Sequence, residues 1–463
     1  MKSIIESFTK HKEFLPKLLA IATPIVLQNF LTSALNFLDV FMVGQLGEIE
    51  VAAVGIGNQI FFLFLMFIFS IASATAIFTA QYWGKKDLKK IHSNLGIGIT
   101  FALVISGIFT LVTFMFPDTL VRIYNNDPQV IELGAQYLSI IAFSLIMTSI
   151  STVYGTILRS TENVKFPLVT GIIGLLLNTG LNYLLIFGKF GFPELKVQGA
   201  AIATVIARSV EFIIILSFTY IRKYSLAASL KNIFNYSKDM LKKYIKIWLP
   251  VMGQTVGWAL GYSMYSVIYG HISTKAFAAY NIACSVERLS LMLFSGLGSA
   301  CAIMVGNRIG ASEEHKARDY SKNFLSIAVV FSILIAAILI FVRKYIVNFY
   351  NLSEQSSTYL YYLLLVMALI MLLRVMNITF QMGILKAGGD TLYSMIIEVG
   401  GIWFVGVPLA AIAAFVLKLP VHYVMLIAAT EELVKMVAAY YRFLSNKWLH
   451  NLTRQPELKR FRG

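Results

Sequence analysis

Long apolar stretches broken by short clusters of charge recur along the whole chain, and their lengths predict helices that cross a bilayer. A helix of about 20 apolar residues spans the hydrocarbon core, and twelve such runs are centred near residues 31, 66, 105, 144, 176, 208, 259, 291, 333, 370, 404 and 432. The expected fold is an all-α polytopic membrane protein of twelve transmembrane helices in two sets of six. The longest polar connection, Arg222 to Lys246, follows the sixth run. It sets the expected boundaries: a six-helix lobe over residues 1–221, a cytoplasmic linker over 222–246, a second six-helix lobe over 247–445 and a basic cytoplasmic tail over 446–463.

The two sets of runs are alike. Sliding one onto the other by 226 residues aligns Pro24–Gly84 with Pro250–Gly310 and yields 14 identities in 61 positions, including Pro24/Pro250, Gln28/Gln254, Gly44/Gly270 and Gly84/Gly310. Shared apolar composition would give about five, so an internal repeat is the better account. One residue further along, Ile157-Leu158-Arg159 matches Ile384-Leu385-Lys386, and Arg208 matches Lys435. Six helices per repeat keep both halves in the same orientation, about an axis along the membrane normal.

Composition agrees with this pattern: of 463 residues 58% are hydrophobic and 13% charged, outside the soluble range. The net charge of +16 is scattered among inter-helix segments, so it reads as membrane orientation and not as a nucleic-acid surface. Of the Lys and Arg residues, 28 fall on the side holding the termini, 7 on the opposite side and 4 within spans. That asymmetry places both termini in the cytoplasm of a multi-pass plasma or inner membrane protein. Residues 1–14 form an amphipathic lead-in without a cleavage pattern, so the first helix is expected to stay in the mature protein. Cys284 and Cys301 fall in one predicted helix, ~25 Å apart at the helical rise, and imply no disulfide. No phosphate loop, HExxH or cysteine zinc pair occurs, so neither ATP hydrolysis nor another enzymatic activity is expected, and no cofactor beyond a coupling ion.

Asp39 stands alone in the otherwise uncharged run from Leu18 to Gly47, where a carboxylate costs about 2.5–3.5 kcal/mol on insertion scales. It reads either as an acid paired for assembly or, the favoured reading, as a proton or ion site. Asn178 and Asn182, four apart on one helix face, and Thr204 in the next span could join it around Na⁺ or hold the carboxyl in a polar network; interhelical packing is the structural alternative. Pro24 and Pro250, early in the first helix of each half, are packing kinks or hinges. In the second half Asp39 aligns with Tyr265, while Glu287, Arg374, Glu398, Glu431 and Glu432 have no charged counterparts in the first half. Arg374 and Lys435 are the nearest cations by depth, and a charge-balanced structural network is the plainer reading of most of these groups. Glu398 is the next functional candidate after Asp39, with Arg374, Glu287 and Glu431 behind it. Glu211, three residues after Arg208, is expected to pair with it.

Several stretches carry a resemblance to a known family: Asp39–Gly44, Ala53–Asn58 opening the second span, Gln81–Gly84 closing it, Asn178–Asn182 followed by Gly188–Glu194, Gly199–Thr204, Gly383–Thr391 and Trp403–Pro408. In order and spacing they resemble multidrug and toxic compound extrusion (MATE) transporters over the whole chain. The resemblance implies two six-helix lobes forming a V-shaped cavity and alternating access. It also implies a monomer that exports small cationic or amphipathic substrates in exchange for H⁺ or Na⁺. Its essential first-helix aspartate falls on Asp39, with partners on Asn178, Asn182 and Thr204. Two positions depart: some relatives carry aspartate where Asn182 stands, and the Na⁺-coupled branch has a glutamate where this chain has Trp258. A lipid-linked saccharide flippase of related fold is the runner-up. It would need a more cationic cavity, drawn here from Arg208, Arg288, Arg374 and Lys435.

Overall fold

A computed structural model describes residues 11–454, which form helices and connections with no strand among the described residues. Six long helices come first: α1 (Phe14–Gly44), α2 (Glu48–Gly84), α3 (Leu88–Met115), α4 (Pro128–Ser160), α5 (Lys165–Phe187) and α6 (Lys196–Ile221). Six follow: α7 (Lys238–Ile272), α8 (Thr274–Gly310), α9 (Glu314–Phe349), α10 (Glu354–Leu385), α11 (Thr391–Val416) and α12 in two pieces, Val421–Ala428 and Thr430–Leu444. Each of the twelve expected spans falls on one of them. Ten, α1–α6 and α8–α11, are long and apolar enough to cross a bilayer, which makes this a multi-pass membrane protein. The remaining two carry more charge: α7 begins with Lys242, Lys243 and Lys246, and α12 carries Glu431, Glu432 and Lys435 just after its break.

Local chemistry explains where helices begin. Asp87 accepts from the Lys90 amide (3.1 Å), Asp127 from the Gln129 amide (2.9 Å) beside Pro128, and Ser273 from the Ala276 amide (3.1 Å). Each satisfies an amide that the first helical turn leaves unpaired. Helices α10 and α11 widen into π turns at Thr379–Leu385, Ile402–Gly406 and Ile412–Val416, and such turns re-aim the side chains that follow.

Contacts divide the described residues into two compact units: those within Met1–Thr23, Ala80–Lys86 and Leu249–Gly463, and those of Pro24–Thr79 and Asp87–Trp248. The core of the first contains Tyr265, Tyr269, Tyr280, Leu363 and Met367; that of the second contains Ala53, Tyr137, Leu138, Val197 and Ala201. The opening helix of each repeat contributes to both units. Helix α1 changes membership at Pro24, and α7 changes it between Trp248 and Leu249, next to the repeat-related Pro250. The start of α1 is held in the first unit, where Glu13 accepts from Arg308 Nη2 (2.7 Å) and the Tyr320 hydroxyl (2.8 Å), and Phe14 packs edge-on against Tyr320. The Tyr320 hydroxyl bond, with Arg308 nearby, holds the Glu13 carboxyl below its usual range. In the second unit the start of α7 is held by Tyr244, whose hydroxyl donates to the Ile71 carbonyl (3.0 Å), and by Trp248, whose Nε1 donates to Ser70 Oγ (3.1 Å). Proline has no amide to donate, so the helical ladder is weakest where each helix passes from one set of partners to the other.

Repeat-related backbones also meet. Within the first unit a Cβ on Gly84 would overlap the carbonyl oxygen of Asn307, and a Cβ on Gly310 would overlap that of Gln81. Residues 81 and 307 are repeat mates, as are 84 and 310, so the ends of α2 and α8 cross with the same contact in both directions. Only glycine permits this approach. Gly84→Ala and Gly310→Ala should each lower stability by about 1–3 kcal/mol through overpacking, read as a fall of several degrees in the Tm of the purified protein. Gly107→Ala on α3, with nothing within 4 Å of the added carbon, should leave the Tm unchanged or raise it.

Candidate functional site

In the unit built from Pro24–Thr79 and Asp87–Trp248, Asp39 faces α5. Its Oδ1 accepts from Asn182 Nδ2 at 2.8 Å. With the Asn178 amide turned so that both of its ends are bonded, the nitrogen donates to Asp39 Oδ2 at 2.9 Å and the oxygen meets Thr204 at 3.3 Å. One turn of α5 thus supplies a donor to each carboxylate oxygen. Asn182 is 3% exposed, and its own Oδ1 has no hydrogen-bond partner among the described residues.

These groups line a cavity of about 470 Å³ that runs from Asp39 and Asn182 to Gln28 and Arg159. Beside the acid the wall includes Tyr137, whose hydroxyl donates to Asn58 Oδ1 at 3.2 Å. Farther along, Arg208 pairs with Glu211 at 2.7 Å, as their spacing on α6 predicts. A wider, open groove of about 800 Å³ near Asp118 and Glu132 shares no residue with this cavity.

The other unit holds a second buried cluster, contributed by α7, α8, α10, α11 and α12. Glu287 pairs with Arg374, and Arg374 Nε also lies 3.7 Å from Glu432. Lys435 Nζ stands 3.4 Å from Glu398, 3.5 Å from Glu431 and 3.4 Å from Glu432. Asn377 donates to Glu432 at 2.7 Å, and the Tyr265 hydroxyl to Glu431 at 2.8 Å. Gly406, in a π turn of α11, leaves room for that last bond, since a Cβ there would overlap the Tyr265 hydroxyl and the Glu431 carboxylate.

A family profile described as MatE matches residues 24–184 and again residues 250–412. The chain belongs to the MatE family. The two matches begin at Pro24 and Pro250, the residues that open the internal repeat, and the resemblance to MATE transporters read from the motifs is confirmed. This MatE chain is 27% identical over 432 residues to a Bacillus subtilis protein named "Probable multidrug resistance protein YoeA", across 92% of each chain. It is 23% identical to the Thermotoga maritima protein named "Probable multidrug resistance protein NorM", across 95% of this chain and 96% of that one. A crystal structure described as MATE in the bent conformation matches with a TM-score of 0.83 at 17% identity, over 93% of this chain and 94% of the other, and supports the all-helical fold.

The residues named from the sequence fall into two groups in this MatE chain. Asp39, Asn178, Asn182 and Thr204 meet at one end of a cavity. Glu398, Arg374, Glu287 and Glu431 meet in the second cluster, with Glu432 and Lys435. Four carboxyl groups and two cations meet there. Arg288, adjacent to Glu287 in sequence, is exposed. The repeat mate of Asp39, Tyr265, brings a phenol to a carboxylate that comes from α12 instead. Sequence reasoning missed Tyr265 in that role, and it did not name Arg159, which belongs to the last turn of α4 and lines the cavity, as a site residue. The Arg159/Lys386 match was the available signal.

Lys435 stands beside three carboxyl groups, of which only Glu432 has a second cation, Arg374, within 4 Å among the described residues, and its side chain is 3% exposed. Lys435→Met should therefore cost about 3–5 kcal/mol by leaving buried charge uncompensated, measured as loss of folded protein or a strongly lowered Tm. Lys435→Arg should recover much of that loss.

Proposed function

We propose that this chain is a secondary antiporter that exports small cationic or amphipathic compounds in exchange for H⁺ or Na⁺. The relatives' names, multidrug resistance proteins, support small-molecule export. The ion coupling rests on one observation: Asp39 accepts from Asn182 Nδ2 while the buried Oδ1 of the same amide has no partner among the described residues. A carboxylate, an amide oxygen and the Thr204 hydroxyl form an all-oxygen donor set suited to a hard cation, and the carboxylate by itself suits a proton. Proton, Na⁺ and the cationic group of a substrate then compete for one negative charge, so that loading one releases another. Loading shifts the balance between inward- and outward-open states only through a difference in affinity for the two.

Pro24 and Pro250 serve as the hinges in this reading, since each lies where its helix passes from one compact unit to the other. The termini face the cytoplasm, following the asymmetry of Lys and Arg. A lipid-linked saccharide flippase would need several free cations for a pyrophosphate. Among the described residues the cavity has one guanidinium outside an ion pair, Arg159, which favours the antiporter.

Asp39→Asn should abolish coupled efflux in proteoliposomes while leaving the Tm within a few degrees of the wild type; active export retained by the variant would end this reading. Imposing Na⁺ and H⁺ gradients separately on the same vesicles identifies the coupling ion. Pro24→Ala and Pro250→Ala, which restore an amide to the carbonyls of Ala20 and Lys246, should slow efflux several-fold without lowering the Tm.

A further inference from the structure

The end of the cavity remote from Asp39 has chemistry that a purely cationic substrate does not use. Arg159 bonds only neutral groups there: Nη1 donates to Gln28 Oε1 at 3.3 Å and Nη2 to Thr156 Oγ1 at 3.0 Å. The other cavity arginine, Arg208, is neutralised by Glu211 at 2.7 Å. Between that end and Asp39, eight and eleven residues before Arg159 on α4, the Ser151 and Thr148 side chains line the cavity at 6% and 5% exposure, and neither hydroxyl has a hydrogen-bond partner among the described residues. Buried hydroxyls left unpaired are costly, and a guanidinium hydrogen-bonded to neutral acceptors has no anion in direct contact with it.

Charge counting agrees. With Asp39 ionised, the two carboxylates Asp39 and Glu211 balance Arg159 and Arg208. Once Asp39 carries a proton or a cation, the lining has one positive charge in excess, shared between Arg208, which Glu211 touches, and Arg159, which is in no ion pair among the described residues. Gln28, which touches Arg159, lies eleven residues before Asp39 on α1, which separates the two ends of the cavity by ~16 Å at the helical rise.

We propose that Arg159 is an anion-recognition subsite, with the Thr148 and Ser151 hydroxyls lining the way from it toward Asp39. The compounds this cavity prefers then carry an anionic oxygen group, carboxylate or phosphate, in addition to any cationic group directed to Asp39. This substrate class rests on the export reading above, but it concerns binding at equilibrium and is tested without any ion gradient. Loss of coupling in Asp39→Asn and loss of anion preference in an Arg159 variant are therefore separate results.

The test uses two dyes of the same skeleton, rhodamine 110 with its free carboxylate and rhodamine 123, its methyl ester. Their affinities for the purified full-length protein are measured by fluorescence polarisation. Wild type should bind the carboxylate form at least about fivefold more tightly than the ester, as a charge-assisted bond to arginine allows. Arg159→Gln should bring that ratio to about one, and Arg159→Lys should keep most of it. Both variants are checked for an unchanged elution profile and Tm, so that a collapsed fold cannot imitate the result. Equal affinities in the wild type, or a preference that survives Arg159→Gln, would overturn the proposal. Adding phosphatidylglycerol or phosphatidylcholine to the micelles distinguishes the sources of the anion. Displacement of rhodamine 110 by phosphatidylglycerol alone assigns the subsite to a lipid headgroup, and no displacement by either assigns it to a soluble compound.

Discussion

A charge placed among apolar helices must find a partner or lose its charge, because neither hydrocarbon nor packed side chains solvate it. That requirement explains most of the polar contacts inside this protein. Asp39 takes a donor from each of two amides on α5, Arg208 takes Glu211 one turn away, and Lys435 stands among three glutamates. Among the atoms for which the requirement is left unmet are Asn182 Oδ1 and the Thr148 and Ser151 hydroxyls, and these belong to residues that line the cavity. A transporter needs unmet polar groups of that kind, since a fully satisfied lining has nothing to offer a passing ligand.

The internal repeat sets the scaffold but not the chemistry. Both halves open on a helix with an interior proline, and each of those helices divides between the two compact units at or next to it. The ends of α2 and α8 cross through glycines that are themselves repeat mates. The ionisable groups depart from this symmetry. Asp39 and Tyr265 occupy equivalent positions, yet one is a carboxylate held by amides and the other a phenol donating to Glu431. One half thus has an open polar cavity with a single acid at its end, and the other a closed cluster with more carboxylates than cations.

The site around Asp39 was legible because its determinants are local. An acid in a long apolar run stands out by its cost, and two amides four residues apart must share a helix face. The second cluster was legible by membership only. Charges deep in predicted spans could be named, and Arg374 and Lys435 could be matched to them by depth, but depth does not say which carboxylates share a cation. The four-to-two imbalance appears only when α8, α10, α11 and α12 are packed together. The role of Tyr265 was hidden for the same reason, since nothing in the sequence of α7 points to a glutamate 166 residues later.

Hydrophobic run length, charge asymmetry and self-similarity were enough to determine the class, the number of spans, the repeat and the prolines that open it. Each is a property of neighbouring residues or of residues at a fixed period, and bilayer thickness converts it directly into structure. Packing alone decided which side chains from different helices meet, which hydroxyls remain without partners among the described residues, and that Arg159, in the last turn of its helix, lines a cavity. Those outcomes depend on how each helix is rotated about its axis and on where a π turn re-aims a face. A single chain read in order carries no direct record of either.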